Sequence, residues 1–373
     1  MLQRSAPATF TDPSPVTSLP ALQALVPSEL ASLCEIDLVD ARRIVSLIHK
    51  RGSLPERSPA TVRRVALDRA KAAGALPELE VREKRASAVD PFVKYAFGLH
   101  DGRVIETVRI PLEKPGRFSV CVSSQAGCAL ACAFCATGKL GLGRNLEVWE
   151  IVEQVRRVRA ELPEGTRVHG VVFQGMGEPL SNAERVIRAI RVLSEPSGQA
   201  IDRRNITVCT AGLPAGIRAL IRAVPDVRLG LSLGDVRPDR RRRLMPIDDK
   251  NPLEEVLVAV GEHAKTSGHA PMWAYTLLAG DNDTADAAEA LAALVLSFTE
   301  RFGVRPRLSL IPFNPSSGLP FRTPSPEAVW EFRMILRERG VGSILRYSGG
   351  GDVGAACGQL APVAGFKAEQ KLA

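Results

Sequence analysis

The feature that most constrains the fold is a strand pattern alternating with helix patterns from about residue 119 to residue 347. This alternation is typical of parallel βαβ units. The predicted strands are Ser119–Val122, Gly170–Gln174, Ile206–Cys209, Val227–Leu233, Met272–Leu278, Arg307–Pro312 and Ser343–Tyr347, and the predicted helices are Val148–Leu162, Asn182–Leu193, Ala215–Ala223, Pro252–Lys265, Thr284–Phe302 and Pro326–Arg339. We predict an α/β fold, either a partial (β/α) barrel or an open doubly wound sheet, with its chemistry at the carboxyl ends of the strands.

The residues on either side of this repeat predict the domain organisation. The start of the chain is rich in Ser, Thr and Pro and contains no apolar stretch of the signal-peptide type. A basic region with helical patterns and then a hairpin pattern follow it. We predict a disordered lead (1–20), a helical accessory domain (21–90), a hairpin linker that carries Glu106 (91–118), the barrel (119–362) and a tail (363–373).

Charge and hydropathy limit the classes of partner. The chain has 49 Lys and Arg against 41 Asp and Glu, a net charge of +8, which favours polyanions because neutralised phosphates release counterions. No apolar run is long enough to span a membrane, so we expect a cytoplasmic protein. In that reducing compartment, clustered cysteines indicate metal or redox chemistry rather than structural disulfides.

A compact cysteine motif follows the first predicted barrel strand. Cys128, Cys132 and Cys135 have the spacing C-x3-C-x2-C, and no fourth cysteine follows at a matching distance. A structural zinc ion needs four ligands, and Cys121 would have to be the fourth. Three cysteines on a 4Fe-4S cluster instead leave one iron open for a chelating substrate. The short spacing at a strand end favours the cluster.

These residues resemble a known family. The cysteine motif and the Gly175–Pro179 loop resemble the radical-SAM superfamily. Motifs similar to those of the RlmN/Cfr family of rRNA methyltransferases follow in order, from about residue 20 to residue 362: Cys121–Cys128, Arg144–Leu146, Met176–Leu180, Leu244–Ile247, Ile311–Pro315 and Ala355–Leu360. The resemblance implies the partial barrel, rather than the open sheet, as the architecture.

The resemblance also implies the chemistry. S-adenosylmethionine would bind the open iron of the 4Fe-4S cluster, two molecules being used per turnover. Cys357 would be the methyl-accepting residue and would become S-methylcysteine. A radical would then abstract hydrogen from this S-methyl group, and the resulting carbon radical would add to adenine. Cys121 would release the product through a transient disulfide with Cys357, and Glu106 would accept the ring proton. Residues implied as cofactor contacts are Gly177, Glu178, Cys209, Ser232, Leu233, Gly234 and Asn314.

The implied reaction is formation of 2-methyladenosine in 23S rRNA, with tRNA as a further substrate. The implied partners are that RNA, contacted by the helical domain, and an electron donor such as flavodoxin, and the chain is expected to be a monomer that binds no membrane. The run Arg240–Arg243, with Lys50–Arg51 and Arg63–Arg64, is predicted to contact RNA phosphates, the alternative being a solvated helix face.

Three positions depart from the family pattern. Cys209 stands where the family usually has Ser, and Gly234 where it usually has His. Gly349–Asp352 replaces the usual Arg-Gly-Asp-Asp, with the loss of one positive charge and one carboxylate. Methylation at carbon 8 and another RNA target are therefore alternatives within the class. A catalytically inactive iron–sulfur RNA-binding protein and a small-molecule radical-SAM enzyme are alternatives from other classes.

Overall fold

The computed structural model describes residues 19–361. The predicted tail and nearly all of the predicted lead lie outside that range. Three helices come first: α1 (Pro27–Cys34), α2 (Leu38–Arg51) and α3 (Arg64–Ala73). Asp37 caps α2 by accepting a hydrogen bond from the Asp40 amide at 2.8 Å, which satisfies one of the free N–H groups of the first turn. The three helices bury Leu30, Ile44 and Leu67 in a core of their own.

An antiparallel region follows the helices. Strands β1 (Glu80–Ala86), β2 (Val93–Gly98) and β3 (Val104–Pro111) pair in chain order, and β3 also pairs with β4 (Arg117–Cys121). The predicted hairpin is therefore confirmed as β2 and β3, although it belongs to the main sheet rather than to a linker. The predicted helical segment 21–90 is wrong at its end, because residues 80–86 form a strand.

The remaining elements alternate as predicted. In chain order they are β5 (Gln125–Gly127), β6 (Leu142–Asn145), α4 (Val148–Ala160), β7 (Arg167–Phe173), α5 (Ala183–Ser194), β8 (Ile206–Thr210), α6 (Pro214–Ala223), β9 (Arg228–Ser232), α7 (Pro238–Leu244), α8 (Leu253–Ser267), β10 (Met272–Leu277), α9 (Ala285–Phe302), β11 (Arg307–Pro312), α10 (Pro326–Glu338) and β12 (Ser343–Leu345). All seven strands predicted for the barrel and all six predicted helices are present, whereas the short strands β5 and β6 and the short helix α7 were not predicted.

One ten-stranded sheet organises the molecule. Its order is β1-β2-β3-β4-β7-β8-β9-β10-β11-β12, and the seven strands from β4 to β12 in this order are parallel. Because β1 and β12 end the order, the sheet does not close on itself within residues 19–361, as expected of a partial (β/α) barrel. Strands β5 and β6 form a separate two-stranded ladder.

The main core lies between this sheet and the surrounding helices. Fully buried rings on the strands, including Phe173, Trp273 and Tyr275, pack against aliphatic and aromatic residues of the helices. Among the helices of residues 19–361, none combines the length and apolar character needed to cross a bilayer.

Candidate active site

The cysteine motif lies in a loop held at both ends by secondary structure. β5 ends at Gly127, immediately before Cys128, and pairs with β6 beyond the loop. The Cys128 amide donates to the Gly141 carbonyl at 2.8 Å, and the Ala136 amide donates to the Gly358 carbonyl at 2.9 Å. The second hydrogen bond attaches the loop to the C-terminal segment, one residue from Cys357.

All three cysteines of the motif line one pocket at the carboxyl ends of the parallel strands, called here the cluster pocket. Five of the predicted cofactor contacts also line it: Gly177, Glu178, Cys209, Ser232 and Gly234. The other two lie differently. Leu233 is fully buried in the core, and Asn314 Nδ2 donates to the Cys357 carbonyl at 3.0 Å.

Backbone amides fix the Glu178 side chain in this wall. One carboxylate oxygen accepts from the Leu180 amide at 2.9 Å and the other from the Ala211 amide at 2.8 Å. Burial raises the pKa of Glu178, while these hydrogen bonds favour its ionised form. The carboxylate is thus oriented by the ends of two neighbouring strands.

A second pocket, called here the thiol pocket, adjoins the first. Cys121 and Cys357 line it together with Phe92, Arg346, Tyr347 and other residues. Residues common to both pockets are Cys135, Thr137, Gln174, Gly175, Cys357 and Gly358. Cys357 therefore lies where the two pockets meet. Its sulfur is not bonded to Cys121, since every cysteine of the chain is a free thiol.

A half-buried arginine lies among the thiols. Burial alone would lower the pKa of Arg346, but the neighbouring Cys357, Cys209 and Cys121 raise it. Burial raises the pKa of Cys209 to about 12, and Arg346 opposes that rise. The guanidinium thus favours the thiolate forms of its neighbours, as expected of a nearby positive charge.

Glu106 lies on β3, outside the wall of the thiol pocket, and is fully buried. Lys94 Nζ, on β2, is 3.0 Å from its carboxylate. Burial raises the pKa of Glu106, and Lys94 and the backbone of Ala361 oppose that rise. The Ala361 backbone, four residues after Cys357, is thus near this carboxylate, although neither Glu106 oxygen accepts a hydrogen bond within the described residues.

The thiols fit an iron–sulfur cluster better than a zinc ion. A zinc site holds four ligands around one ion at about 2.0–2.3 Å. Within residues 19–361 no three metal-ligating side chains surround a single position, and Cys121 lines the neighbouring pocket. In a cubane cluster each thiolate binds a different iron, so the sulfurs need only share one wall. Burial raises the pKa of Cys128 to about 11, a cost that iron ligation would offset by deprotonating the thiol.

Two of the departures from the family pattern have a structural setting. Gly234 has a positive φ of 67°, and a side-chain carbon at this position would lie 2.6 Å from Met245 Sδ. Met245 thus occupies the space that a histidine would need. Cys209, in the place of the usual serine, lines the cluster pocket with Cys357, so a thiol replaces a hydroxyl on this wall.

The arginines of the run Arg240–Arg243 form contacts within the protein. Arg241 on α7 is fully buried; it forms an ion pair with Asp248 at 2.8 Å and donates to the carbonyls of Ala211, Ser232 and Leu233. The prediction of phosphate contact is wrong for this residue, because its guanidinium already joins the ends of β8 and β9. The other three arginines pair with exposed or half-buried carboxylates, namely Asp239, Asp249 and Asp281.

Arg241→Met is therefore expected to lower the free energy of unfolding by about 3–5 kcal/mol, because the buried Asp248 loses its partner. Arg242→Met, on the same helix, removes only exposed ion pairs, which contribute about 0–1 kcal/mol. Urea unfolding followed by circular dichroism compares the two. Equal losses in both variants would contradict the structural role of Arg241.

Two charged residues of the site, Lys94 and Arg346, were not predicted from the sequence. Lys94 interrupts an otherwise apolar strand, and this lone charge beside a hairpin carrying Glu106 was an available signal for a buried ion pair. Arg346 gave no such signal, because an arginine at the end of the predicted strand Ser343–Tyr347 is an ordinary rim residue.

Comparisons with known proteins identify the family of this chain. Residues 122–295 match the Radical SAM superfamily. A probable RNA methyltransferase of Sorangium cellulosum (strain So ce56) is 65% identical over 357 residues, 90% of this chain and 91% of that protein. A protein named dual-specificity RNA methyltransferase RlmN, from Syntrophobacter fumaroxidans (strain DSM 10017 / MPOB), is 44% identical over 74% of this chain and 78% of its own length.

One solved structure is similar over nearly its whole length. The crystal structure of a radical SAM methyltransferase from Sphaerobacter thermophilus has a TM-score of 0.82 and 34% identity, and the match covers 91% of this chain and 98% of that one. The chain belongs to the RlmN/Cfr family of radical-SAM RNA methyltransferases.

Proposed function

We propose that this enzyme methylates carbon 2 of an adenine in 23S rRNA, with tRNA as a further substrate, through S-methylcysteine at Cys357. The observation that carries the proposal is the position of Cys357 on the walls of both the cluster pocket and the thiol pocket. A thiol at this junction can receive a methyl group on one side and present it to a base on the other.

The cluster pocket would hold the cofactors. Cys128, Cys132 and Cys135 would bind the 4Fe-4S cluster, and Gly177, Glu178, Cys209, Ser232 and Gly234 would contact S-adenosylmethionine, with Leu233 and Asn314 supporting the site from behind. When bound, these cofactors supply the methyl group and a hydrogen-abstracting radical. Carbon 2 of adenine is electron-poor, so it cannot attack a sulfonium methyl directly, and the protein thiol is needed as carrier.

Three side chains would then act in turn. Cys357 would accept the methyl group, Glu106 would take the proton from the ring carbon, and Cys121 would attack the Cys357 sulfur. A transient disulfide would form as the bond between that sulfur and the transferred carbon breaks, and a proton would complete the methyl group. The single electron left by radical addition would return to the cluster. Cys121 shares the thiol pocket with Cys357, which supports its part. The nearness of the Ala361 backbone to Glu106, on the segment that carries Cys357, supports the part proposed for this carboxylate.

The wider setting completes the proposal. We propose that residues 21–79 contact the RNA, that a flavodoxin-type protein donates electrons, and that the enzyme acts as a monomer in the cytoplasm. Lys50, Arg51 and Arg64 are the basic residues proposed for the RNA contact. Arg64 forms only an exposed ion pair with Asp68, whereas Arg63 is engaged by both Asp37 and Asp40.

Nucleoside mass spectrometry tests the function. The chain is expressed in a host lacking its own 2-methyladenosine activity, and rRNA and tRNA are digested separately. 2-Methyladenosine in the rRNA pool is the expected result. 8-Methyladenosine would contradict the choice of ring carbon, and the absence of both from a cluster-containing enzyme would contradict RNA methylation.

Lys94→Met is expected to move the acid limb of the activity–pH profile to higher pH. Glu106 accepts a proton only when ionised, and Lys94 opposes the rise in its pKa that burial causes. Without the lysine, Glu106 ionises only at a higher pH, so activity on the acid side falls and is regained as pH rises. Single-turnover rates across pH measure the limb. Lys84→Met, an exposed lysine paired with Glu161, is the control, and coincident limbs for all three proteins would contradict the assignment of Glu106.

A further inference from the structure

Two aromatic rings stand at the mouth of the thiol pocket. Phe92, before β2, and Tyr347, after β12, both line the pocket that contains Cys121 and Cys357. Their ring centroids are 6.3 Å apart with an interplanar angle of 78°, an edge-to-face pair. Tyr347 nevertheless remains 69% exposed. A large ring is thus presented to solvent at the entrance to the two thiols.

Asp90 holds this ring in place. One carboxylate oxygen of Asp90 accepts from the Tyr347 hydroxyl at 2.7 Å and from the Gly350 amide at 2.8 Å. Its other oxygen accepts from the Phe92 amide at 3.1 Å. Asp90 therefore fixes the positions of both rings and of the start of the loop that carries Cys357. An exposed side chain fixed in this way loses little further freedom when a ligand binds it, which favours binding.

Gly349 packs closely against the ring of Phe92 at the entrance of the thiol pocket. A side-chain carbon built on Gly349 would overlap the ring of Phe92. No larger residue fits at position 349 while Phe92 stays where it is. The ring of Phe92 thus occupies the space beside Tyr347 that a charged side chain at position 349 would need.

The same pocket holds polar atoms that lack partners. Arg346 Nη1 and Ser348 Oγ are buried and form no hydrogen bond within the described part of the chain. Both residues line the pocket on either side of Tyr347 in sequence. Buried polar groups without partners are costly, so these two atoms point to a ligand that supplies acceptors.

We propose that Tyr347 is the residue on which the unpaired purine entering the thiol pocket stacks, with Arg346 and Ser348 hydrogen-bonding to its ring nitrogens. A purine offers the flat face that the exposed ring matches and the acceptors that the two polar atoms lack. Stacking on an aromatic side chain is how proteins hold bases removed from a helix. This inference rests on the proposed function and names the residue that recognises its substrate.

The test follows stacking directly. The probe is an RNA hairpin with 2-aminopurine as the unpaired purine of its loop, added to the cluster-containing enzyme. Binding to the wild type is expected to quench the probe fluorescence. Tyr347→Leu should abolish the quenching and raise the Kd about tenfold, the order of effect that loss of one base-stacking contact produces. Tyr347→Phe keeps the ring and should stay within about threefold of the wild type.

Trp330→Leu is the matched control, because Trp330 is a similarly exposed aromatic residue, 61% exposed, on α10 outside the pocket wall. It should bind as the wild type does. Tyr347→Leu with unchanged quenching and Kd would overturn the stacking role, and so would equal weakening in Tyr347→Phe or Trp330→Leu. These outcomes leave the proposed function standing, which fails separately if wild-type enzyme modifies no RNA in the nucleoside assay.

Discussion

Cys357→Ala is expected to reduce RNA methylation from the wild-type level to below detection. In the proposed mechanism the adenine carbon cannot take a methyl group from a sulfonium directly, so the methyl group passes through a thiol that reaches both pockets. In residues 19–361, Cys357 and Cys135 are the cysteines that line both, and Cys135 is assigned to the cluster. Nucleoside mass spectrometry of RNA incubated with S-adenosylmethionine and reductant measures the loss, and the intact protein should also fail to gain a methyl group.

Cys34→Ala supplies the matched control. Cys34 is a buried thiol in the core of the three N-terminal helices, so its loss tests for a general effect of removing a cysteine. It should cost some stability and leave methylation near the wild-type level. Methyladenosine at wild-type levels from Cys357→Ala would remove the methyl-carrier role altogether.

Cys121→Ala is expected to leave the RNA product covalently attached to the enzyme, whereas Cys357→Ala should form no product. Methyl transfer and attack on adenine would proceed, but the thiol that cleaves the bond to Cys357 would be missing. The enzyme is then expected to stop after at most one turnover with RNA bound covalently. Denaturing gels with labelled RNA would show a slow band that persists after heating and disappears after digestion with nuclease.

The double variant Cys121→Ala/Cys357→Ala tests the origin of that band. With no Cys357 sulfur, the attached species should be absent. A Cys121→Ala enzyme that turns over as fast as the wild type would contradict the resolving role, and would point to Cys209, which also neighbours Cys357 and Arg346.

The parallel half of the fold follows from sequence periodicity, whereas its edges do not. All seven barrel strands were predicted, because they are apolar runs and a helix pattern separates each from the next. Strand β1 was missed since six of its seven residues are charged or exposed and only Val81 and Glu83 are half-buried, leaving no alternation to read. Helix α7 was missed because its arginines resemble a solvated surface, although Arg241 is buried.

Part of the candidate site was likewise predictable from the sequence and part was not. The cysteine motif is local in sequence, so its place in one pocket was predictable. The pairing of Lys94 with Glu106 depends on the antiparallel register that sets Ala96 opposite Glu106, and register is fixed by packing across strands. Arg346 favours the thiolate forms of Cys121, Cys209 and Cys357 only because the fold brings these three residues near it.

The contact between Phe92 and Gly349 also restricts how this enzyme can evolve. Any side chain at position 349 collides with the ring, so a mutation there is harmful while Phe92 is present and tolerable once position 92 has become small. The two sites are epistatic, and the order of substitutions matters: position 92 must change first. Descendants of this chain should therefore carry either a large residue at 92 with glycine at 349 or a small residue at 92 with freedom at 349. An engineer who wishes to restore a charge to the loop must alter both positions together.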